Sequence, residues 1–127
     1  MSTAHVGLVC SSENNADMFY RDLLGLTKAE PKKLAQDLTK ALFNLETELT
    51  IINYTGKGSH FEVFVNSLSV RKEQPVEHVC VEVEDLSGFL NKGRAMQMKI
   101  LQVPKGEGVL SFISDPDGNL FELKEKK

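Results

Sequence analysis

The sequence predicts an α+β fold made of two βαβββ modules, and three observations lead to this prediction. A short apolar segment that begins with histidine occurs twice, as HVGLV at His5 and as HVCVEV at His78. Each is followed by a helix-like stretch and then by three strand-like segments, the last carrying a glutamate. The 127 residues can bury one core without disulfides or structural metal. We therefore predict a single domain with modules over about residues 4–57 and 75–127.

The first module is predicted to begin with a strand. A helix follows, opening in the capping residues Ser11 to Asn15 and ending at Gly25. Three further strands complete the module, the last two joined by a tight turn at Glu46 and Thr47. The four predicted strands are His5 to Cys10, Leu26 to Ala29, Asp37 to Leu45 and Glu48 to Asn53.

The stretch between the modules carries the weakest pattern in the chain. Its sequence HFEVFV, His60 to Val65, is interpreted as an extra edge strand beyond the first module. The charged segment Val70 to Pro75 is interpreted as a connector and hinge. We accordingly assign His60 and Glu62 to the surface, and we keep Glu62 only as a substitute for Glu48.

The second module repeats the first. Its helix is capped by Asp85, and its last strand follows a turn, SDPDGN, in which Pro116 and Gly118 supply the backbone angles of a chain reversal. In that strand Phe121 and Leu123 are expected to face the core, so Glu122 lies on the opposite face. The other predicted strands are Glu77 to Val83, Met98 to Val103 and Val109 to Ser114.

Composition excludes several classes of partner. The formal net charge is −3 and no run of Lys or Arg stands out, so nucleic acid and anionic membranes are not expected partners. No segment resembles a signal peptide, and no apolar run approaches the roughly 20 residues that span a bilayer. We expect a soluble, cytoplasmic protein that acts on a small molecule.

Four residues at matched places in the two modules form the candidate site. A single histidine or glutamate in such a place is more often structural or solvent-exposed, but recurrence in both modules favours a metal site. Two imidazoles and two carboxylates suit one first-row divalent ion such as Ni²⁺, Co²⁺, Zn²⁺, Fe²⁺ or Mn²⁺, whereas Ca²⁺ prefers oxygen ligands. The candidate ligands are His5, Glu48, His78 and Glu122.

These residues lie in motifs that resemble the vicinal oxygen chelate superfamily and, within it, bacterial glyoxalase I. The resemblance extends from His5 to the C-terminus and implies paired βαβββ modules. It also implies that His5, Glu48, His78 and Glu122 are the four metal ligands. The matching motifs are HVGLV at His5, FYRDLLGL at Phe19, ELT at Glu48, HVCVEVED at His78 and DPDGNLFELKEK at Asp115.

The resemblance implies a metal-dependent isomerisation at two adjacent oxygen-bearing carbons, through an enediolate that the metal stabilises as a Lewis acid. A carboxylate moves the proton between the carbons, with Glu122 as the first choice and Glu48 as the second. The family reaction is that of lactoylglutathione lyase, from hemithioacetal to S-lactoylglutathione. The resemblance also implies a homodimer whose site takes ligands from one chain or from both.

Three alternatives remain open. A coenzyme A thioester epimerase of the same superfamily uses similar chemistry, but it commonly has glutamine where this chain has Glu48. A thiol transferase that inactivates an antibiotic, or a ring-cleaving dioxygenase, needs only two His and one Glu. A metal-free binding protein of the bleomycin-resistance type would lack the ligand set, so four intact positions weigh against it.

Two departures from glyoxalase I concern glutathione binding. The family usually places arginine four residues after the first ligand and asparagine four residues after the first glutamate. Here those positions are Val9 and Ile52, with Asn53 one residue later and on the other face. We therefore expect weak turnover of the methylglyoxal–glutathione hemithioacetal, because a site that loses its hydrogen-bonding groups loses discrimination.

Overall fold

The structure is a computed structural model that describes residues 1–69 and 75–127. The chain divides into two compact units, Met1–Val70 and Arg71–Lys127, here called the first and second units. Most of the predicted hinge, residues 70–74, lies outside the described residues.

Over residues 1–69 the first unit contains five strands, two α-helices and a π-helix. The helix α1 continues directly into a π-helical turn at Asp17–Leu23, and Ser12 caps it by accepting a hydrogen bond from the Asn15 backbone N–H. Gly25, at a positive φ of 73°, follows the helix as predicted. The elements are β1 Val6–Cys10, α1 Glu13–Ala16, β2 Thr27–Lys28, β3 Lys32–Leu34, α2 Gln36–Phe43, β4 Leu49–Gly56 and β5 Ser59–Val65.

Its sheet has the order β1-β5-β4-β2, and β3 also pairs with β4. The strands β1 and β5 run parallel, with Val6 opposite Phe61. The strands β4 and β5 form an antiparallel hairpin, with Asn53 opposite Glu62. The hairpin therefore places β5 in the interior of the sheet, next to the strand that follows His5.

The second unit, over its described residues 75–127, contains four strands and one helix. Its sheet has the order β6-β9-β8-β7, in which β6 runs parallel to β9 with Val79 opposite Phe121. Asp85 caps the helix α3, as predicted, by accepting from the Gly88 backbone N–H. The elements are β6 Val79–Val83, α3 Leu86–Ala95, β7 Lys99–Lys105, β8 Gly108–Ser114 and β9 Leu120–Glu125.

The two sheets share one topology. In each, the first strand lies parallel to the last, and the last pairs antiparallel with the strand before it. This repetition confirms the α+β class. It also makes β5 the counterpart of β9, and β4 the counterpart of β8.

One predicted strand of the first module is wrong. The predicted strand from Asp37 to Leu45 lies mostly in the helix α2, Gln36–Phe43. The spacing of Leu38 and Leu42 fits both a strand face and one face of a helix, and most of the intervening residues are strong helix formers. Asn44 ends the helix in the left-handed conformation, at φ 57°.

The segment HFEVFV is an interior strand, not the predicted edge strand. The missed signal is the two-residue turn at Lys57 and Gly58, both with positive φ, as the turn of a tight hairpin requires. Gly56 and Ser59 close the ladder on either side of this turn. The predicted strand from Glu48 to Asn53 is therefore longer, and it begins at Leu49.

The core of the first unit packs the helical segment against the sheet through aromatic side chains. Tyr20, Tyr54 and Phe61 are buried, with ring centroids 5.5 Å and 5.6 Å from that of Tyr20. The Tyr54 hydroxyl donates to Asp17 Oδ1 at 2.8 Å, and Lys28 Nζ lies 3.0 Å from Asp17 Oδ2. Burial, then this hydrogen bond to a carboxylate, raises the pKa of Tyr54.

Among the helices that the structure describes, none is both long enough and apolar enough to cross a lipid bilayer.

Candidate metal centre

The second unit brings His78 and Glu122 together at the start of two parallel strands. His78 comes directly before Val79, and Glu122 comes directly after Phe121. Val79 and Phe121 are partners in the parallel ladder. This diagonal placement leaves His78 Nε2 3.5 Å from Glu122 Oε1. As predicted, Glu122 lies on the face opposite the buried Phe121. Its carboxylate is largely screened from water, because its side chain is 19% exposed.

A hydrogen bond to the backbone fixes the orientation of the His78 ring. Its Nδ1 lies 2.8 Å from the Val76 carbonyl oxygen, so Nδ1–H donates there and Nε2 faces Glu122. In the neutral ring, Nε2 then carries the lone pair, and this lone pair faces the Glu122 carboxylate. Histidines that bind metals are held in this way, with the other ring N–H donated to a carbonyl or carboxylate.

The first unit contains the same arrangement, made by His5 and Glu62. His5 precedes Val6, Glu62 follows Phe61, and Val6 is the partner of Phe61 in the parallel ladder. The distance from His5 Nε2 to Glu62 Oε1 is 3.6 Å, and the Glu62 side chain is 25% exposed. The structure therefore contains one His–Glu pair in each unit at the same register.

Within each pair, the distance between the histidine nitrogen and the glutamate oxygen suits two ligands of one divalent ion. Two ligands at about 2.0–2.2 Å from a tetrahedral ion lie about 3.4 Å from each other, close to the observed 3.5 Å and 3.6 Å. Neither unit, over residues 1–69 and 75–127, brings three His, Cys, Asp or Glu side chains together as a metal-holding group. Each unit thus offers two candidate ligands, and the sequence predicted four for one ion.

The structure does not bring Glu48 to His5. Glu48 lies before the first residue of β4, its side chain is 55% exposed, and its Oε1 is 3.7 Å from Lys33 Nζ. By strand parity it shares a side with Ile52, which is fully buried in the core. The glutamate beside His5 is Glu62, on the strand that corresponds to β9.

A short sequence repeat was the signal that could have found Glu62. Phe61-Glu62-Val63 matches Phe121-Glu122-Leu123, an aromatic residue, a glutamate and an aliphatic residue. In both units the aromatic and aliphatic residues are buried and the glutamate lies between them on the other face. The edge-strand interpretation of HFEVFV concealed this match.

His60 was predicted to be a surface residue, but it is part of the polar face around His5. Its ring centroid is 5.3 Å from that of His5, and its Nε2 lies 2.6 Å from Asn53 Oδ1. Asn53 is in turn directly opposite Glu62 in the hairpin. Sequence reasoning missed both residues, because their proximity depends on the register of β4 against β5.

In the second unit the position opposite the glutamate is apolar. Phe112 is opposite Glu122, as Asn53 is opposite Glu62, and the Phe112 ring lies edge-on to His78 at 5.5 Å. Cys80 is the ladder partner of Glu122. Partial desolvation, and then the neighbouring Glu122, raises the pKa of the Cys80 thiol.

The two aliphatic positions noted in the sequence have different surroundings. Val9 shares strand parity with His5 and is 41% exposed. Ile52 is 0% exposed and faces the core, so it does not line the polar face around Glu62.

Comparisons with known proteins agree with this fold. A family model described as the Glyoxalase/Bleomycin resistance protein/Dioxygenase superfamily matches residues 2–123. The sequence matches none of the curated proteins with which it was compared.

Several solved structures are similar. A glyoxalase family protein from Enterococcus faecalis is 16% identical with a TM-score of 0.74, covering 96% of this chain and 95% of that chain. One from Bacillus cereus is 16% identical with a TM-score of 0.76, covering 98% and 93%.

A third is a mutant of the fosfomycin resistance protein FosX from Listeria monocytogenes, complexed with Mn(II) and 1S,2S-dihydroxypropylphosphonic acid. It is 12% identical with a TM-score of 0.76, and the match covers 99% of this chain and 93% of that chain. Likeness at these identities shows the fold. Since the family model covers nearly the whole chain, this protein belongs to the Glyoxalase/Bleomycin resistance protein/Dioxygenase superfamily, the vicinal oxygen chelate superfamily that its motifs resemble.

Proposed function

We propose that the protein is a metal-dependent enzyme that acts on a small molecule with two adjacent oxygens. The observation that supports this is the His–Glu pair found at the same register in both units, His5 with Glu62 and His78 with Glu122. These four side chains would bind one first-row divalent ion per site, with Glu62 in the place first assigned to Glu48. A FosX relative solved with Mn(II) supports a divalent metal in this superfamily.

The chemistry would be an isomerisation of glyoxalase I type. A bound ion would supply Lewis-acid stabilisation of the negative charge that develops on the two substrate oxygens. Glu122 would take the proton from one oxygen-bearing carbon and return it to the other. Glu122 suits this role because its side chain is only 19% exposed and its ladder partner is the apolar Phe112.

The substrate need not be the glutathione adduct. Val9 stands at the family's arginine position, so a cationic contact to glutathione is missing there. Counted from Glu62, the family's asparagine position falls on Asn66, not on Ile52. The Asn66 side-chain oxygen already accepts from the Leu68 backbone N–H, which leaves its amide group to meet a substrate. The predicted weakness towards the hemithioacetal therefore depends on Val9 alone.

A second candidate is action on an antibiotic, since several similar solved structures are those of fosfomycin resistance proteins. The FosX relative holds a ligand with two adjacent hydroxyl groups, which belongs to the same chemical class. Such a reaction needs only two histidines and one glutamate, here His5, His78 and Glu122. Activity on fosfomycin that survives the Glu62→Gln substitution would favour this candidate over glyoxalase I chemistry.

The experiment combines metal analysis with a proton-exchange assay. Protein purified without chelators is loaded with Ni²⁺, Co²⁺, Zn²⁺ or Mn²⁺ and incubated in D₂O with the hemithioacetal and other 2-hydroxycarbonyl compounds. We expect about one ion per chain and metal-dependent exchange of the carbon-bound hydrogen, abolished by Glu122→Gln and retained by Glu82→Gln on the neighbouring strand. Absence of bound metal under all four conditions would contradict the proposal.

A further inference from the structure

A polar pair in the first unit has no role in the proposed metal centre. Asn53 Oδ1 lies 2.6 Å from His60 Nε2, and both side chains are partly buried. Asn53 is the ladder partner of Glu62, and the His60 ring lies beside that of His5. The pair therefore adjoins both proposed metal ligands of this unit.

The contact between the two side chains determines what each can still bind. Because Asn53 Oδ1 is an acceptor, His60 Nε2 carries the hydrogen, and Nδ1 of the neutral ring is left as an acceptor. The Asn53 amide nitrogen keeps two N–H donors. Within residues 1–69 and 75–127, no hydrogen-bond partner occupies either the Asn53 amide nitrogen or His60 Nδ1.

The second unit shows that the fold does not require this pair. Its sheet has the same topology, yet Phe112 stands where Asn53 does, opposite the glutamate. Leu120, two residues before Glu122, corresponds to His60, two residues before Glu62. An apolar pair therefore suffices to build this part of the sheet, and the polar pair calls for another explanation.

We propose that Asn53 and His60 bind a hydroxyl or carboxamide group of the substrate, next to the two oxygens that the metal takes, and so determine specificity. This inference rests on the proposed function, because it presumes a metal-bound substrate at Glu62 and His5. A hydroxyl and a carboxamide each offer both a donor and an acceptor, which complement His60 Nδ1 and the Asn53 amide N–H groups. The pair carries no formal charge when the imidazole is neutral, so a neutral group suits it.

The test uses ligands that differ only by a hydroxyl group. Acetohydroxamate supplies two adjacent oxygens to a metal, and glycolohydroxamate and 3-hydroxypropionohydroxamate add a hydroxyl at two distances. Binding to the Co²⁺ form of the full chain is followed by the visible Co²⁺ spectrum and by calorimetry. We expect at least one hydroxylated ligand to bind roughly 3- to 10-fold more tightly than acetohydroxamate, the value of a net hydrogen bond or two.

Four variants test whether Asn53 and His60 cause the preference for hydroxylated ligands. Asn53→Leu and His60→Leu should lose the preference for the hydroxyl while keeping bound Co²⁺ and acetohydroxamate affinity. Asn53→Asp and His60→Gln are milder changes, in case the leucine variants do not fold. Asn53→Asp removes the amide donors, and His60→Gln keeps a donor towards Asn53 but removes the Nδ1 acceptor, so each should reduce the preference.

The outcomes separate this inference from the proposed function. If wild-type protein binds no Co²⁺ or no acetohydroxamate, the proposed metal function fails and this inference fails with it. If it binds all three ligands equally, or if the milder variants keep the full preference, only the role of the pair is overturned. Loss of Co²⁺ from folded His60→Gln would make His60 a metal ligand, which also overturns it.

Discussion

His5 Nε2 lies 3.6 Å from Glu62 Oε1, and the parallel pairing of β1 with β5 brings them together. The relationship depends on Val6 being opposite Phe61, which sets the two side chains diagonally across the polar face. A shift of the register by one residue would turn Glu62 towards the core. The aromatic residue before Glu62 and the valine after it are both buried, and they hold this register.

The first prediction concerns the buried Tyr54. Tyr54→Phe should lower the free energy of unfolding at pH 7 by about 1.5–3 kcal/mol, because a hydrogen bond to a carboxylate is lost. Chemical denaturation of Tyr54→Phe, Asp17→Asn and the double variant measures the coupling between the two side chains. Additive effects of the two substitutions would show that the hydrogen bond contributes nothing.

The second prediction is that the contribution of Tyr54 to the free energy of unfolding depends on pH. The pKa of Tyr54 is raised in the folded state, so its contribution is fully present below the unfolded pKa of about 10 and is lost as the pH rises towards the folded value. The stability difference between wild type and Tyr54→Phe should shrink by up to about 1.4 kcal/mol per pH unit above pH 10. A difference that stays constant between pH 9 and 11 would be inconsistent with this.

The third prediction is a homodimer. Leu101 and Val103 are exposed apolar residues on one face of β7, and β7 is an edge strand of the second sheet. Exposed edges and apolar patches are commonly covered by a partner. Sedimentation velocity at micromolar concentration should show a dimer, and Leu101→Glu should shift it towards monomer, whereas Leu68→Glu in an exposed turn should not. A wild-type monomer at that concentration would refute the prediction.

The fourth prediction concerns glutathione. Turnover of the methylglyoxal–glutathione hemithioacetal by the metal-loaded protein should fall below the ordinary kcat/KM range of roughly 10⁴–10⁸ M⁻¹s⁻¹. Val9→Arg restores the family's cation at an exposed position on the strand of His5 and should lower KM more than it changes kcat. A wild-type value inside that range, abolished by Glu122→Gln, would instead identify a true glyoxalase I.

The sequence predicted the second unit well because its signals are local. Asp85 caps a helix and the turn before Glu122 has the residues that its backbone requires, so the elements followed from short-range chemistry. The repeat of a strand, a helix and further strands predicted the architecture. Alternation of Phe121 and Leu123 placed Glu122 on the correct face.

The first unit was harder to predict because it contains an additional helix, α2, between its strands. The helix α2, with apolar spacing that also fits a strand, was counted as one of the module's strands. That error shifted the count by one element, so the last strand was assigned to Glu48 and not to Glu62. The partners of His60 and Asn53 depend on strand register, which no local motif specifies.

The most direct test of the proposed metal centre compares two glutamates. Glu62→Gln and Glu48→Gln are made as a matched pair, and the affinity of each folded variant for Co²⁺ or Zn²⁺ is measured by competition with a chromogenic chelator. Glu62→Gln should weaken metal binding by more than about 100-fold, since loss of even an outer partner of a ligand costs roughly 10–100-fold. Glu48→Gln should bind metal like the wild type. The reverse result, with metal lost from Glu48→Gln and kept by Glu62→Gln, would contradict the assignment of Glu62.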